Sequence, residues 1–213
     1  MKQFLRKNDR VMQWVLGVTV TVVAILVWVS VRLNNSSDVT VYTVFPLLGL
    51  VGFSLMWTHY IHGATKRYAA LKDHGKDIYW YVSSGIVLAC LLLHPLLLSF
   101  ALWRDGLGLP PFSYMTAYES MSFAIILGSL SLSIFLAFEL HRWFSDRSWW
   151  RYVDALQFVA MLAIFVHALS LGGELNVVWF KALWWLYGVT LVVAYVYSYR
   201  YDRKRGLDES EIK

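Results

Sequence analysis

Hydrophobic residues along the chain are gathered into six long runs, which short polar segments separate. The runs cover roughly residues 11–31, 41–61, 79–103, 115–140, 151–171 and 178–199. Each run is near or above the length of about 20 residues with which an α-helix crosses a bilayer. We therefore predict an all-α integral membrane protein, in which residues 1–213 form a single bundle of six transmembrane helices.

The composition and the two chain ends fit this prediction. Only 15% of the residues are charged, whereas a soluble domain carries about a quarter. The N-terminal segment MKQFLRKNDR precedes an apolar run that is too long for a signal peptide and lacks a small-residue cleavage site, so we expect a retained first helix. The charged segment from Arg200 onward is expected to fray.

The basic residues predict how the bundle is oriented. Of the 19 Lys and Arg residues, 16 lie in the N-terminal segment, the second and fourth loops and the C-terminal segment. The positive-inside rule then places both termini in the cytoplasm, and we expect a bacterial inner or plasma membrane. Because these charges lie in short loops between apolar runs, the net charge of +5 indicates contact with the bilayer and not with nucleic acid.

Two of the six histidines, His94 and His167, lie well inside predicted spans. Counted from the expected cytoplasmic entry points of spans three and five, they lie at depths of roughly 22 and 24 Å at about 1.5 Å per residue. Two imidazoles on parallel helices thus reach the same level in the outer half of the bilayer. Ionisable residues at such depth are functional candidates.

A haem iron held by His94 and His167 is the interpretation that this pattern favours. Ligation by two histidines leaves no open iron position and suits electron transfer. Zinc is disfavoured because a structural site needs four N or S ligands, and no other residue at this depth is expected to supply them. The alternative is a non-redox scaffold or small transporter, in which the pair serves as an interhelical contact or a proton relay.

Neighbouring residues extend the predicted cofactor site. Cys90 and Ala163 each lie four residues before one of the two histidines, on the same helix face, and are expected to line the haem pocket. Arg104 is the best placed outer cation for a haem carboxylate. The other outer-side cations are Arg32 and Lys181.

Two segments resemble a known family. LLLHPLLLSFAL (91–102) and WRYVDALQFVAMLAIFVHALSLGGEL (150–175) are similar to spans three and five of ferric reductase-like transmembrane domains. That family includes ferric reductases, the membrane core of NADPH oxidases and the haem-binding subunit of the bacterial methionine sulfoxide reductase system. The resemblance covers roughly residues 45–200 and implies a six-helix b-type cytochrome, with His94 and His167 matching the outer haem pair.

The chain departs from this family at the second haem. Two-haem members carry a further histidine about four turns earlier on each span, where this chain has Trp80 and Asp154. A second haem between His59 and His141 is an alternative, similar to the crossed arrangement of ascorbate-dependent b-type cytochromes. We therefore expect one haem b and leave a second open.

The electron donor is expected to be a separate molecule. No Gly-rich phosphate loop follows span six, so the chain is not expected to carry a flavin or nicotinamide domain of its own. A flavoprotein or a quinol is the expected donor, with a flavin or quinone as a candidate inner relay. The expected function is that of a membrane electron-transfer subunit of an oxidoreductase, passing electrons to an outer acceptor: ferric ion, a protein or oxygen.

Overall fold

The computed structural model describes residues 2–35, 38–71, 78–139 and 150–211. Within these residues there are helices and turns but no strand. Their seven α-helices are α1 (Lys2–Asn35), α2 (Val41–Ala69), α3 (Ile78–Arg104), α4 (Phe112–Ala117), α5 (Ser122–Glu139), α6 (Trp150–Leu171) and α7 (Val178–Glu211). Short 3₁₀ turns occupy Glu119–Met121 and Gly173–Asn176.

The helices have the length and composition that are typical of a helical membrane protein. In the described part of the chain, α1, α2, α3, α7 and the segment Glu119–Phe138, which contains most of α5, are long and apolar enough to cross a bilayer. The segment Ala155–Leu171 of α6 is apolar but shorter. The predicted all-α class is therefore confirmed, and five of the described helices have the length and composition of membrane spans.

Two predicted boundaries are wrong. The run predicted as one helix over 115–140 is divided, because Tyr118 leaves the helical region (φ −130°, ψ 42°) and the long helix α5 begins only at Ser122. The physical reason is the polar stretch up to Ser122, since the continuous apolar run starts at Phe123. The segment from Arg200, which was expected to fray, continues α7 as far as Glu211.

Helix α2 lies at the centre of the bundle and packs against α1, α3 and α7. Its residues from Leu50 to Thr58 are all buried. Phe53 stacks on Trp184 of α7 with ring centres 4.4 Å apart, and the indole of Trp57 donates a hydrogen bond of 3.0 Å to Thr190. Helices α5 and α6 pack chiefly on each other, so the bundle contains two close helix pairs, α2/α3 and α5/α6.

The two ends of the bundle differ in what they carry. The side chain of Arg6 donates to the carbonyl of Ala69 at 2.7 Å, and Arg67 forms an ion pair with Asp202 at 2.7 Å. These contacts bring the start of α1 and the ends of α2 and α7 together at one end, which we call the termini side. The opposite end, the far side, carries residues 105–121 and 172–177.

A buried ion pair ties the far side together. Arg32 near the end of α1 contacts Glu174 of the second 3₁₀ turn at 2.6 Å, and the Glu174 side chain is only 1% exposed. A carboxylate so deeply buried depends on its partner, because an uncompensated charge in an apolar surrounding is strongly destabilising. The pair therefore fixes the turn between α6 and α7 against α1.

We predict that Arg32→Ala lowers the free energy of unfolding by about 3 kcal/mol, because it leaves the Glu174 carboxylate buried without its cation. Thermal unfolding of the purified protein in detergent measures the effect. The matched control is Arg104→Ala, which removes a cation paired with Asp105 in an exposed position and should leave the unfolding midpoint nearly unchanged. Equal midpoints for the two variants would contradict the buried role of the Arg32–Glu174 pair.

Candidate functional site

The structure brings His94 and His167 together between the two helix pairs. His94 lies on α3 and His167 on α6. Their ring centres are 6.5 Å apart, and the ring planes are inclined at 76°. Both side chains are partly buried. The two histidines that the sequence predicts to lie at one depth are thus neighbours in space.

Each imidazole is held by the backbone of the helix next to its own. His94 Nδ1 lies 2.7 Å from the carbonyl oxygen of Phe45 on α2, and His167 Nδ1 lies 2.7 Å from the carbonyl oxygen of Ala124 on α5. A carbonyl can only accept a hydrogen bond, so in both rings Nδ1 carries the proton and donates it. Each Nε2 therefore keeps the lone pair with which an imidazole binds a metal ion.

Glycines make room for both rings. Gly49 lies one turn after Phe45, and a Cβ at this position would be 3.1 Å from Cε1 of His94. Gly128 lies one turn after Ala124, and a Cβ there would be 2.7 Å from Cε1 of His167. Real Cβ atoms essentially never come as close as 2.7 Å to another atom of this kind, so the His167 ring fits only because position 128 has no Cβ. The same device, a carbonyl acceptor followed four residues later by glycine, thus occurs once in each helix pair.

The spacing of the two rings fits a metal ion between them. Two imidazoles that bind one ion from opposite sides, each through a bond of about 2 Å, have ring centres about 6 Å apart. The observed separation is 6.5 Å. No group of three or more His, Cys, Asp and Glu residues suited to a metal ion occurs in the described part of the chain. Two imidazole ligands without further protein ligands suit a haem iron, whose other four ligands belong to the macrocycle.

Cys90 and Ala163, the two small residues predicted to line the haem pocket, lie on α3 and α6. Cys90 is buried and packs against α2. A Cβ atom added to Gly52 of α2 would lie 3.2 Å from the Cβ atom of Cys90. Ala163 is partly buried in α6. Their roles as residues that line a haem pocket stay predictions.

The predicted outer cations have carboxylate partners or are exposed. Arg104 donates to Asp105 at 2.8 Å, and Tyr42 donates to the same carboxylate at 2.6 Å. These hydrogen bonds, that of Arg104 foremost, hold the pKa of Asp105 below its usual range. Arg32 binds Glu174, as described above, and Lys181 is exposed in the first turn of α7. The role of Arg104 as a partner of a haem carboxylate stays a prediction.

The residues considered for a second haem are only partly described. Nε2 of His59 lies 2.8 Å from the hydroxyl oxygen of Ser83, and the ring centres of His59 and Trp80 are 4.3 Å apart. His141 lies outside the described residues, as does the side chain of Asp154. A metal bound through Nε2 of His59 would have to displace the contact with Ser83. The second haem stays a prediction.

No family model, curated protein or solved structure matches the chain. The chemistry of the site therefore rests on its geometry. Sequence reasoning misses the backbone acceptors of Phe45 and Ala124, because a carbonyl is present in every residue and leaves no mark in the sequence. The only signal that could point to them is a glycine inside an apolar run, as at Gly49 and Gly128.

We predict that Gly128→Ala lowers the unfolding temperature, because the new methyl group displaces the His167 ring from the Ala124 carbonyl. In a helix without such a neighbour, the same change stabilises by up to about 1 kcal/mol. The matched control is Gly85→Ala on α3, where a Cβ would meet nothing within 4 Å. Thermal unfolding in detergent compares them, and an equal or higher midpoint for Gly128→Ala than for Gly85→Ala would refute the packing role of Gly128.

Proposed function

We propose that this protein is a membrane electron-transfer subunit of an oxidoreductase, similar to ferric reductases, and that it holds one b-type haem between His94 and His167. The observation that carries the proposal is the geometry of the pair. The rings are 6.5 Å apart, and each Nδ1 is engaged by a backbone carbonyl of the neighbouring helix. This leaves the two Nε2 atoms as the nitrogens that can bind a metal ion.

The two histidines would determine what a haem can do here. With an imidazole on each side, no iron position is left for oxygen, so the site suits electron transfer. The hydrogen bonds from Nδ1 to the carbonyls of Phe45 and Ala124 fix the tautomer and the orientation of each ring and make Nε2 a stronger ligand. A bound haem supplies the one-electron change between ferric and ferrous iron.

The proposal includes the orientation in the membrane. Six spans with the termini side in the cytoplasm follow from the concentration of Lys and Arg at the termini and in the second and fourth loops. His94 and His167 lie nearer to the far side, since His167 is only four residues from the end of α6 at Leu171. The electron acceptor is therefore placed outside the membrane, and a separate donor, a flavoprotein or a quinol, acts from the cytoplasmic side or from the bilayer.

A non-redox role is the competing proposal. In a scaffold or small transporter, the two histidines would serve only as interhelical contacts or as a proton relay. The bonds to Phe45 and Ala124 account for one nitrogen of each ring in that role. They do not account for the two rings lying 6.5 Å apart between the two helix pairs, which the haem proposal explains.

We predict that the protein purified in detergent absorbs as a b-type cytochrome and that its spectrum sharpens on reduction with dithionite. His94→Ala and His167→Ala should each abolish this spectrum, because either change removes one axial ligand. The matched control is His62→Ala, since His62 lies on the termini side near Asp9 and Gln13 and should not affect the spectrum.

Two outcomes would contradict the proposal in different ways. A colourless wild-type protein would favour the non-redox role. A spectrum that survives both alanine substitutions would show that other residues bind the haem. The haem content per chain, measured with and without His59→Ala, distinguishes one haem from two.

A further inference from the structure

One cavity in the described part of the bundle has no role in the proposed haem site. It has a volume of about 610 Å³ and lies between α2, α3, α5, α6 and α7. At the termini side it ends at the ion pair of Arg67 and Asp202. In the opposite direction it reaches Leu91 on α3 and Met161 on α6. We call it the termini-side cavity.

The cavity extends to the neighbourhood of the histidine pair. Leu91 is three residues from His94, which is about 4.5 Å along the helix axis. Met161 is six residues from His167, or about 9 Å along the axis. A molecule in the cavity would therefore lie between the histidine pair and the termini side, where the expected donor acts.

The walls of the cavity suit a flat, uncharged ring. Aromatic side chains from four helices line it, among them Tyr60, Trp80, Phe135 and Tyr195. Neutral side chains that are able to form hydrogen bonds, such as Ser84 and Gln157, lie among them. Such a combination of apolar area with a few polar groups is typical of sites for small organic molecules.

The charges at the cavity disfavour an anionic occupant. Arg67 is the one Lys or Arg residue among the described lining residues. It donates two hydrogen bonds, of 2.9 and 2.7 Å, to the carboxylate of Asp202. Its charge is therefore matched within the protein. The phosphate of a flavin nucleotide or the carboxylates of a haem would need an additional cation.

The lining also disfavours a haem for want of a suitably placed ligand. His59 is the only histidine among the described lining residues, and its Nε2 is engaged with Ser83. The Ser83 hydroxyl also lies 2.7 Å from the carbonyl oxygen of Tyr79 and 3.3 Å from that of Trp80, so its contact with His59 belongs to a local hydrogen-bond network. A metal bound through Nε2 of His59 would therefore have to displace an existing contact.

We propose that the termini-side cavity binds the head group of a lipid-soluble quinone. The head group is flat and uncharged, and its two oxygens can pair with neutral groups such as Ser84 and Gln157. The cavity is open at the surface of the bundle, and most of the helices that line it are long and apolar enough to cross a bilayer, which suits an occupant dissolved in the lipid.

The role of this quinone as the electron donor rests on the proposed function, whereas its binding does not. Oxidation of one quinol to the quinone releases two electrons and two protons. The quinol would pass its electrons singly to a ferric haem at the histidine pair, and the protons would leave to water at the termini side. The binding site can therefore be tested separately from electron transfer.

Equilibrium binding of decyl-ubiquinone to the purified full chain in detergent tests the proposal. We expect saturable binding, with a dissociation constant that rises at least about tenfold in Ser84→Phe, because the added ring occupies the cavity. The matched control is Val82→Phe, two residues away on α3, where the side chain is 39% exposed and does not line the cavity; its dissociation constant should stay unchanged.

A second variant keeps the test valid if Ser84→Phe does not fold. Gln157→Leu preserves the volume of the side chain but removes its hydrogen bonds, and should weaken binding several-fold. Absence of saturable binding, or equal binding by wild type and both variants, would overturn the proposal. So would a second haem per chain that Ser84→Phe removes, or displacement of decyl-ubiquinone by flavin mononucleotide.

The same titration with His94→Ala separates the two proposals. If this site and the haem site are both present, the variant loses its cytochrome spectrum but still binds decyl-ubiquinone. A wild-type protein that binds decyl-ubiquinone but is colourless would leave the cavity assignment intact and refute the proposed electron transfer. A cytochrome spectrum without quinone binding would refute the cavity assignment alone.

Discussion

An imidazole inside an apolar bundle must have its polar nitrogens satisfied, and this requirement shapes the centre of the molecule. His94 and His167 each meet it for one nitrogen by donating from Nδ1 to a backbone carbonyl of the neighbouring helix, at 2.7 Å. That contact requires the ring to lie against the other helix. A Cβ at Gly128 of α5 would lie 2.7 Å from the His167 ring, so glycine is needed there, and a Cβ at Gly49 of α2 would make a tight contact of 3.1 Å with the His94 ring. These two hydrogen bonds link the pairing of the helices, α2 with α3 and α5 with α6, to the direction of each Nε2.

The rest of the bundle holds the two helix pairs in position around this centre. Phe53 and Trp57 join α2 to α7 through close contacts with Trp184 and Tyr187, with ring centres 4.4 and 4.5 Å apart. On the far side, the pair of Arg32 and Glu174 fixes the turn that follows α6. These contacts leave the space between α3 and α6 to the histidine rings and, towards the termini side, to the cavity.

The sequence predicts the helical class and the proximity of His94 and His167, because apolar length and depth along a span are properties of the chain itself. It does not predict the acceptors of Phe45 and Ala124 or the glycines beside the rings, because these depend on how the helices pack. It also misplaces the start of the helix at Ser122, since the apolar count does not show where Tyr118 breaks the helix. The partners of Arg104 and Arg32, the carboxylates of Asp105 and Glu174, are likewise set by tertiary contacts.

The central claim is that two imidazoles, with planes inclined at 76°, bind one iron from opposite sides. Electron paramagnetic resonance of the oxidised, purified protein tests it most directly. When the two imidazole planes of a ferric haem are nearly perpendicular, the iron d orbitals stay almost equal in energy and the low-spin signal is highly anisotropic. We predict this signal, and its loss in His94→Ala and His167→Ala. A high-spin ferric signal in the wild-type protein, or no ferric haem signal at all, would contradict the claim.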